Sequence, residues 1–229
     1  MLPINLFLLI PELFIAGTVS VLAILEIFYP EINRRLSGKL NFAALILLIV
    51  IVAGFFGRSA VTLKGMFITD SFAVFFKLLF LGAAGWVFLV KRETPSEKIS
   101  EFRLILWSAL LGMFFLVSAR NFLLFFIALE ILTLSLYVLA SYSNVGAIYE
   151  SPLRPIEAGL KYLVMGSLAS AFLLYGISLI YASSGSLSFG NLGGAFGQKG
   201  NPLLFLAGAL LVLSALGFKV AAVPFHVWV

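Results

Sequence analysis

Two ionisable residues set inside apolar sequence, Glu130 and Lys219, are the groups best placed to do chemistry in this chain. Glu130 stands near the middle of residues 121–141 (NFLLFFIALEILTLSLYVLAS), a run otherwise free of charge and of about the 20 residues that a bilayer-spanning helix needs. A charge at the centre of such a helix costs roughly 2.5–3.5 kcal/mol on insertion scales, so the carboxylate needs a partner or a function. Helical spacing puts Thr133, Tyr137 and Ser141 on the face of Glu130, which gives a polar row running from mid-helix to one end. Lys219 lies in a second apolar run, five residues before Pro224. The proline cannot donate to the carbonyl of Val220, so the helix should kink or break beside the lysine. Broken helices at membrane depth line protein-buried or watered cavities, where ion sites are found. The chemistry that suits such a pair is proton uptake and release. Burial favours a neutral carboxyl and a nearby ammonium favours the ionised one, so moving a lysine toward or away from an acid changes its proton occupancy. His226, two residues past Pro224, titrates near neutral pH and could extend the relay. Lys161 carries Glu157 four residues before it on the same face, a spacing that partly neutralises both.

Three further charges fall within apolar runs and carry plainer readings. Glu12 follows Pro11, a pairing that suits a helix start, with the acid on the positive end of the helix dipole. Glu26 is within a turn of Tyr29 and Pro30 and should reach the interface. Lys77 lies two turns into its run and is read as snorkelling to the headgroups. Gly166, Ser170, Gly176, Gly208 and Gly217 are read as helix-packing notches.

The elements that must position these groups are membrane helices. Of the 229 residues, 62% are hydrophobic and 11% charged, against about 25% charged in soluble domains. The fold class is therefore an all-α polytopic membrane protein, read as a single transmembrane domain over residues 1–229. Hydropathy gives about seven transmembrane helices, at 11–29, 40–56, 71–90, 103–118, 121–141 and 156–181, with the seventh starting at 202. Only Ala119 and Arg120 join the fourth to the fifth, which predicts a tight antiparallel pair. The chain has no cysteine and one histidine, so disulfides, zinc–thiolate, iron–sulfur and His-rich metal or haem sites are not expected.

The net charge of +5 comes from basic residues in short loops and is read as membrane orientation rather than a nucleic-acid surface. Arg34, Arg35, Lys39, Lys91, Arg92, Lys98, Arg103 and Arg154 share one side, with Arg58, Lys64, Arg120 and Lys199 on the other. Eight against four makes the first side cytoplasmic and puts the N-terminus outside. The first apolar run lacks a basic leader and a small-residue cleavage site, so it is read as a retained span. The Gly/Ser-rich stretch 183–201 lacks the strand and Lys-Ser/Thr of a phosphate loop and is read as a flexible external connector. The chain closes at Val229 within an apolar run with no polar cap, which suggests a fragment.

Three stretches carry a family resemblance: FFIALEILTLSLYVLA (125–140), EAGLKYLVMGSLASAFLLYGISLIYASSGSLSF (157–189) and LGFKVAAVPFHVW (216–228). Together they resemble the subunit N family of proton-translocating NADH-quinone oxidoreductase, respiratory complex I. Leu-Tyr-Val-Leu after the glutamate and Lys-Tyr-Leu in the sixth span are closer to subunit N than to its paralogues M and L. The resemblance implies an antiporter-like membrane-arm subunit of inverted helical repeats, in a bacterial inner membrane, with this chain matching the N-terminal half. It implies that Glu130 and Lys219 form the pumping pair, with an additional relay role for Lys161. NADH, flavin, iron–sulfur clusters and quinone then belong to partner subunits, no cofactor is expected in this chain, and its neighbours are membrane-arm subunits of the M, K and J type and the lipid bilayer. Two other functions use the same charges: an Mrp-type cation/proton antiporter, and a structural membrane scaffold whose ion pairs only lock helices.

Overall fold

The computed structural model describes residues 5–91, 99–142, 153–196 and 200–225. Among them run α1 (Ile10–Phe28), α2 (Pro30–Ala53), α3 (Ser71–Lys91), α4 (Ile99–Val117), α5 (Phe122–Ser141), α6 (Leu153–Ser184) and α7 (Pro202–Lys219). These are the seven apolar runs of the sequence. Three helices extend by three or more residues beyond the runs: α2 begins at Pro30, through the charged segment that precedes the apolar stretch Gly38–Ala53, α4 begins at Ile99, and α6 runs from Leu153 to Ser184. Among the described residues, five stretches are long and apolar enough to cross a bilayer: Leu6–Phe28, Ser71–Val90, Phe122–Ser141, Ile156–Ser184 and Pro202–Lys219. The chain is an integral membrane protein of predominantly helical architecture.

Helix starts follow local chemistry. Asn121 Oδ1 accepts from Leu124 N at 2.8 Å, and Asn201 Oδ1 accepts from Leu203 N and Leu204 N at 3.1 and 3.3 Å, so side chains satisfy the first free amides of α5 and α7. Asp70 does the same for α3 through Ala73 N at 2.8 Å.

Packing divides into two buried clusters. The first, around Ile15, Leu48, Leu81, Trp107, Leu110 and Phe114, joins α1 to α4. The Trp107 indole N–H, fully buried, donates to the amide oxygen of Asn41 and fixes α2 against α4. The second, around Leu129, Leu173, Ile177, Ile180, Val212 and Ala215, joins α5, α6 and α7. The predicted α4–α5 antiparallel pair is present and close: a Cβ on Gly112 would lie 2.6 Å from Leu132 N and 2.9 Å from the Ala128 carbonyl oxygen. Gly176 and Gly208 bring α6 against α7 in the same way, each lying where a Cβ would meet the other's carbonyl oxygen, at 2.8 and 2.7 Å.

A short hairpin, β1 (Ala60–Thr62) and β2 (Phe67–Thr69), closes one end. Thr62 Oγ1 accepts from Asn5 N at 2.9 Å, Ile68 N donates to Ser118 O at 2.9 Å, and Arg120 N donates to Met66 O at 2.8 Å. Phe122 N then donates to Leu187 O at 2.9 Å, and Phe189 N to Arg120 O at 3.1 Å. The N-terminal segment, the α2–α3 loop, the α4–α5 turn and the α6–α7 loop are thus laced into one layer, as alternate helix ends require. The last of these loops was expected to be a flexible connector. Instead residues Phe189–Phe196 form a 3₁₀ helix, and Phe189 stacks edge-on with Phe122 at 4.8 Å, because the loop's backbone and aromatic ring both find partners at the start of α5.

Candidate functional site

Three helices converge on Glu130. Lys219, the last residue of α7, places Nζ 3.3 Å from Glu130 Oε1, with side-chain exposures of 7% and 25%. Ser170 of α6 lies between them: its hydroxyl donates to Glu130 Oε1 at 2.6 Å and accepts from Lys219 Nζ at 2.9 Å. The same hydroxyl lies 3.1 Å from the carbonyl oxygen of Gly166, one turn back on its own helix. A carboxylate, an alcohol and an ammonium therefore form a closed triangle at membrane depth, each supplied by a different helix. Sequence reasoning found the acid and the base but read Ser170 as a packing notch. One signal could have marked it: Gly166 and Ser170 stand one helical turn apart and would share a face.

The break expected beside Lys219 is present. Helix α7 ends at that residue; Ala221 takes a left-handed φ of 52°, Ala221 N donates to Phe218 O and Ala222 N to Gly217 O, at 3.1 and 2.8 Å. This is a Schellman closure, which satisfies the last carbonyls of the helix while turning the chain sharply. The lysine thus sits at the mouth of a turn rather than inside a continuous rod. Beside it, between α6 and α7, opens a cavity of about 180 Å³ whose lining of Met165, Leu168, Phe172, Leu211, Phe218 and Phe225 is almost wholly apolar.

The polar row on α5 faces α6 as its spacing required. Thr133 and Tyr137 are buried, and the Tyr137 hydroxyl lies within hydrogen-bonding reach of Thr133 and packs against Gly166, where a Cβ would stand 2.0 Å from it. The Tyr137 ring meets Tyr162 edge-on at 4.6 Å. At the end of the row, Ser141 packs on Gly159, leaving no room there for a larger residue. Tyr142, just past α5 and outside the span, has its phenol pushed up to about 12 by burial, with further push from the carboxylates of Glu101 and Glu26, so it stays protonated at neutral pH.

Other expected site residues are placed differently. Lys161 pairs with Glu157 at 2.6 Å, as the four-residue spacing predicted, but the two are 73% and 63% exposed and stand on the outer face of α6. Nine residues separate Lys161 from Ser170, about 13 Å along the helix. His226 lies outside the described residues. Glu12 and Lys77 depart from their sequence readings. Glu12 does stand in the first turn of α1, yet it does not simply serve the helix dipole, and Lys77 does not snorkel. Both are 1% exposed and meet at 2.6 Å between α1 and α3, with Nζ over the rings of Phe67 and Phe114 at 5.1 and 5.6 Å. Aside from each other, they have no hydrogen-bond partner among the described residues. The two helices face each other across the first cluster, so neutralising each charge with the other is cheaper than carrying the lysine out to the interface. Among the described residues no group of three or more His, Asp or Glu side chains is gathered as a metal site would require.

Residues 119–229 match the family described as NADH:quinone oxidoreductase/Mrp antiporter, TM. The chain is 36% identical to NADH-quinone oxidoreductase subunit N of Magnetococcus marinus and 38% identical to that of Paramagnetospirillum magneticum, each alignment covering 98% of this chain and 47% of the relative. It spans about half the length of the curated relatives it matches. Among solved structures it is similar to a chain of respiratory complex I from Thermus thermophilus, with a TM-score of 0.75 and 32% identity over 95% of this chain and 45% of that one. A chain of the Mrp complex from Dietzia sp. DQ12-45-1b shares the fold, with a TM-score of 0.71 and 21% identity over 98% of this chain and 43% of that one.

Proposed function

The chain belongs to the antiporter-like membrane-subunit family that includes NADH-quinone oxidoreductase subunit N, and from that premise we propose that it translocates protons, driven by electron transfer from NADH to quinone in partner subunits. The observation that supports this is the contact of Glu130 with Lys219 at a helix end, in a span long enough to cross the bilayer. An ammonium at this distance favours an ionised carboxylate. Withdrawn, it leaves an acid among hydrocarbon groups that favour the neutral form, so a proton is taken up; its return expels that proton. Lys219 is suited to move because its backbone ends a helix and leads into a turn. The row Thr133, Tyr137 and Ser141 gives the departing proton a polar direction along α5; Lys161, exposed on the outer face of α6 near the end of that row, would take part only where the proton leaves it.

In this reading the chain sits in a bacterial inner membrane with its N-terminus outside, beside membrane-arm subunits of the M, K and J type. Its own residues hold and move protons, while nucleotide, flavin, clusters and quinone stay with the partners. The test is Glu130→Gln in the assembled complex in sealed vesicles. Proton pumping per electron should fall about tenfold or more, at equal amounts of assembled complex. Undiminished pumping would leave the scaffold reading in its place. Transport driven by an ion gradient alone, with no need of NADH and quinone, would favour the Mrp-type antiporter.

A further inference from the structure

Resting on the reading that Glu130 takes up and releases a proton as Lys219 moves, we propose that a proton passes between the two groups through the Ser170 hydroxyl, which acts as a two-position relay between them. The direct Nζ–Oε1 separation of 3.3 Å is long for a charge-assisted hydrogen bond, which runs at about 2.7–2.9 Å for an ammonium and a carboxylate. Both legs through Ser170 are short, 2.9 Å from Lys219 Nζ to Oγ and 2.6 Å from Oγ to Glu130 Oε1. A hydroxyl has one proton to give and lone pairs to receive, whereas an ammonium only donates and an ionised carboxylate only accepts. The only order that satisfies all three groups is Lys219 to Ser170 to Glu130.

The step balances without any further reactant. The Oγ–H bond breaks as an O–H bond forms on Glu130 Oε1, while an N–H bond of Lys219 breaks as a new O–H bond forms on Oγ. An ammonium, an alcohol and a carboxylate become an amine, an alcohol and a carboxylic acid. The pair's opposite charges cancel, and the serine is regenerated with a proton that came from the lysine. The second position is the Gly166 carbonyl oxygen, 3.1 Å from Oγ, which can only accept. When the hydroxyl turns to it, Ser170 no longer donates to Glu130 and the connection is open. A single rotation of the hydroxyl about its Cβ–Oγ bond therefore makes or breaks the link. The cavity between α6 and α7, with its almost wholly apolar lining, provides few partners for a water molecule in place of the hydroxyl.

The experiment compares Ser170→Ala, Ser170→Thr and Glu130→Gln in the assembled membrane complex, reading protons pumped per electron and the infrared carboxyl band of protonated Glu130. Ser170→Ala should lower pumping about tenfold or more and shift the band, and Ser170→Thr, which keeps a hydroxyl, should restore both. Full pumping in Ser170→Ala together with loss in Glu130→Gln would overturn the relay and leave the pair intact. Full pumping in Glu130→Gln would sink the pair itself. Equal losses in the alanine and threonine variants, or failure of the alanine variant to assemble where threonine succeeds, would make Ser170 a packing residue and overturn the relay.

Discussion

Glu12 and Lys77 show how differently two buried ion pairs in one chain are built. Glu130 and Lys219 share a hydroxyl, one is a quarter exposed, and the lysine ends a helix, which suits the opening that the proposed function requires. Glu12 and Lys77 are sealed at 1% exposure, and aromatic rings flank the ammonium on the sides where polar partners would otherwise stand. Such a pair is a lock. Removing one partner from a buried pair strands the other and costs about 3–5 kcal/mol, whereas replacing both with apolar groups of similar size is near neutral. Glu12→Gln and Lys77→Met should therefore each lower thermal stability in detergent markedly, while Glu12→Leu combined with Lys77→Met should recover most of the loss. If the double variant is as unstable as the sum of the singles, the pair is no lock. Nothing in the sequence joins these residues, because each sits near a plausible interface and their contact depends on α1 and α3 meeting diagonally where both pack on α2 and α4. The partners of Ser170 were illegible for the same reason, lying 40 and 49 residues away.

At the level of the helix, the glycines decide how near the charged groups can come. An alanine at Gly208 would be favoured over glycine by about 1 kcal/mol in an isolated helix. Here its Cβ would meet the Gly176 carbonyl oxygen at 2.7 Å and Ile180 N at 3.0 Å, and backbone cannot swing aside as a side chain can. Overpacking of this kind costs about 1–3 kcal/mol and should win. Gly208→Ala is thus expected to destabilise the α6–α7 pair, measurable as a lower midpoint of thermal unfolding; a higher midpoint would mean the contact is looser than it stands. The effect reaches the site because Ser170 and Lys219 are carried by these same two helices. Helix positions, the α4–α5 pairing and the break at Lys219 could all be read from apolar runs, loop length and Pro224. The hairpin could not. Strands of three residues, Ala60–Thr62 and Phe67–Thr69, carry too little alternation to stand out, and what orders them is hydrogen bonding to Asn5, Ser118 and Arg120.

Across the whole molecule, the laced layer fixes which helix ends lie together and turns charge counting into a test of orientation. Asn5, the hairpin, Ser118–Arg120 and Leu187–Phe189 share one face of the bundle through backbone hydrogen bonds. Lys39 lies near the start of the apolar part of α2, while Arg58 lies past its end, so the two belong to opposite membrane faces. Both side chains are exposed, and the chain has no cysteine of its own to confuse a label. Counting eight basic loop residues on the side of Lys39 and four on that of Arg58, the proposed orientation makes the former the cytoplasmic face. An impermeant maleimide added to right-side-out vesicles should label Arg58→Cys and spare Lys39→Cys until the membrane is opened. The reverse pattern would invert the direction of the proton path, because the polar row below Glu130 would then lead outward. Labelling of both positions from one side would contradict the layer itself, since the membrane run of α2 could not then lie between them.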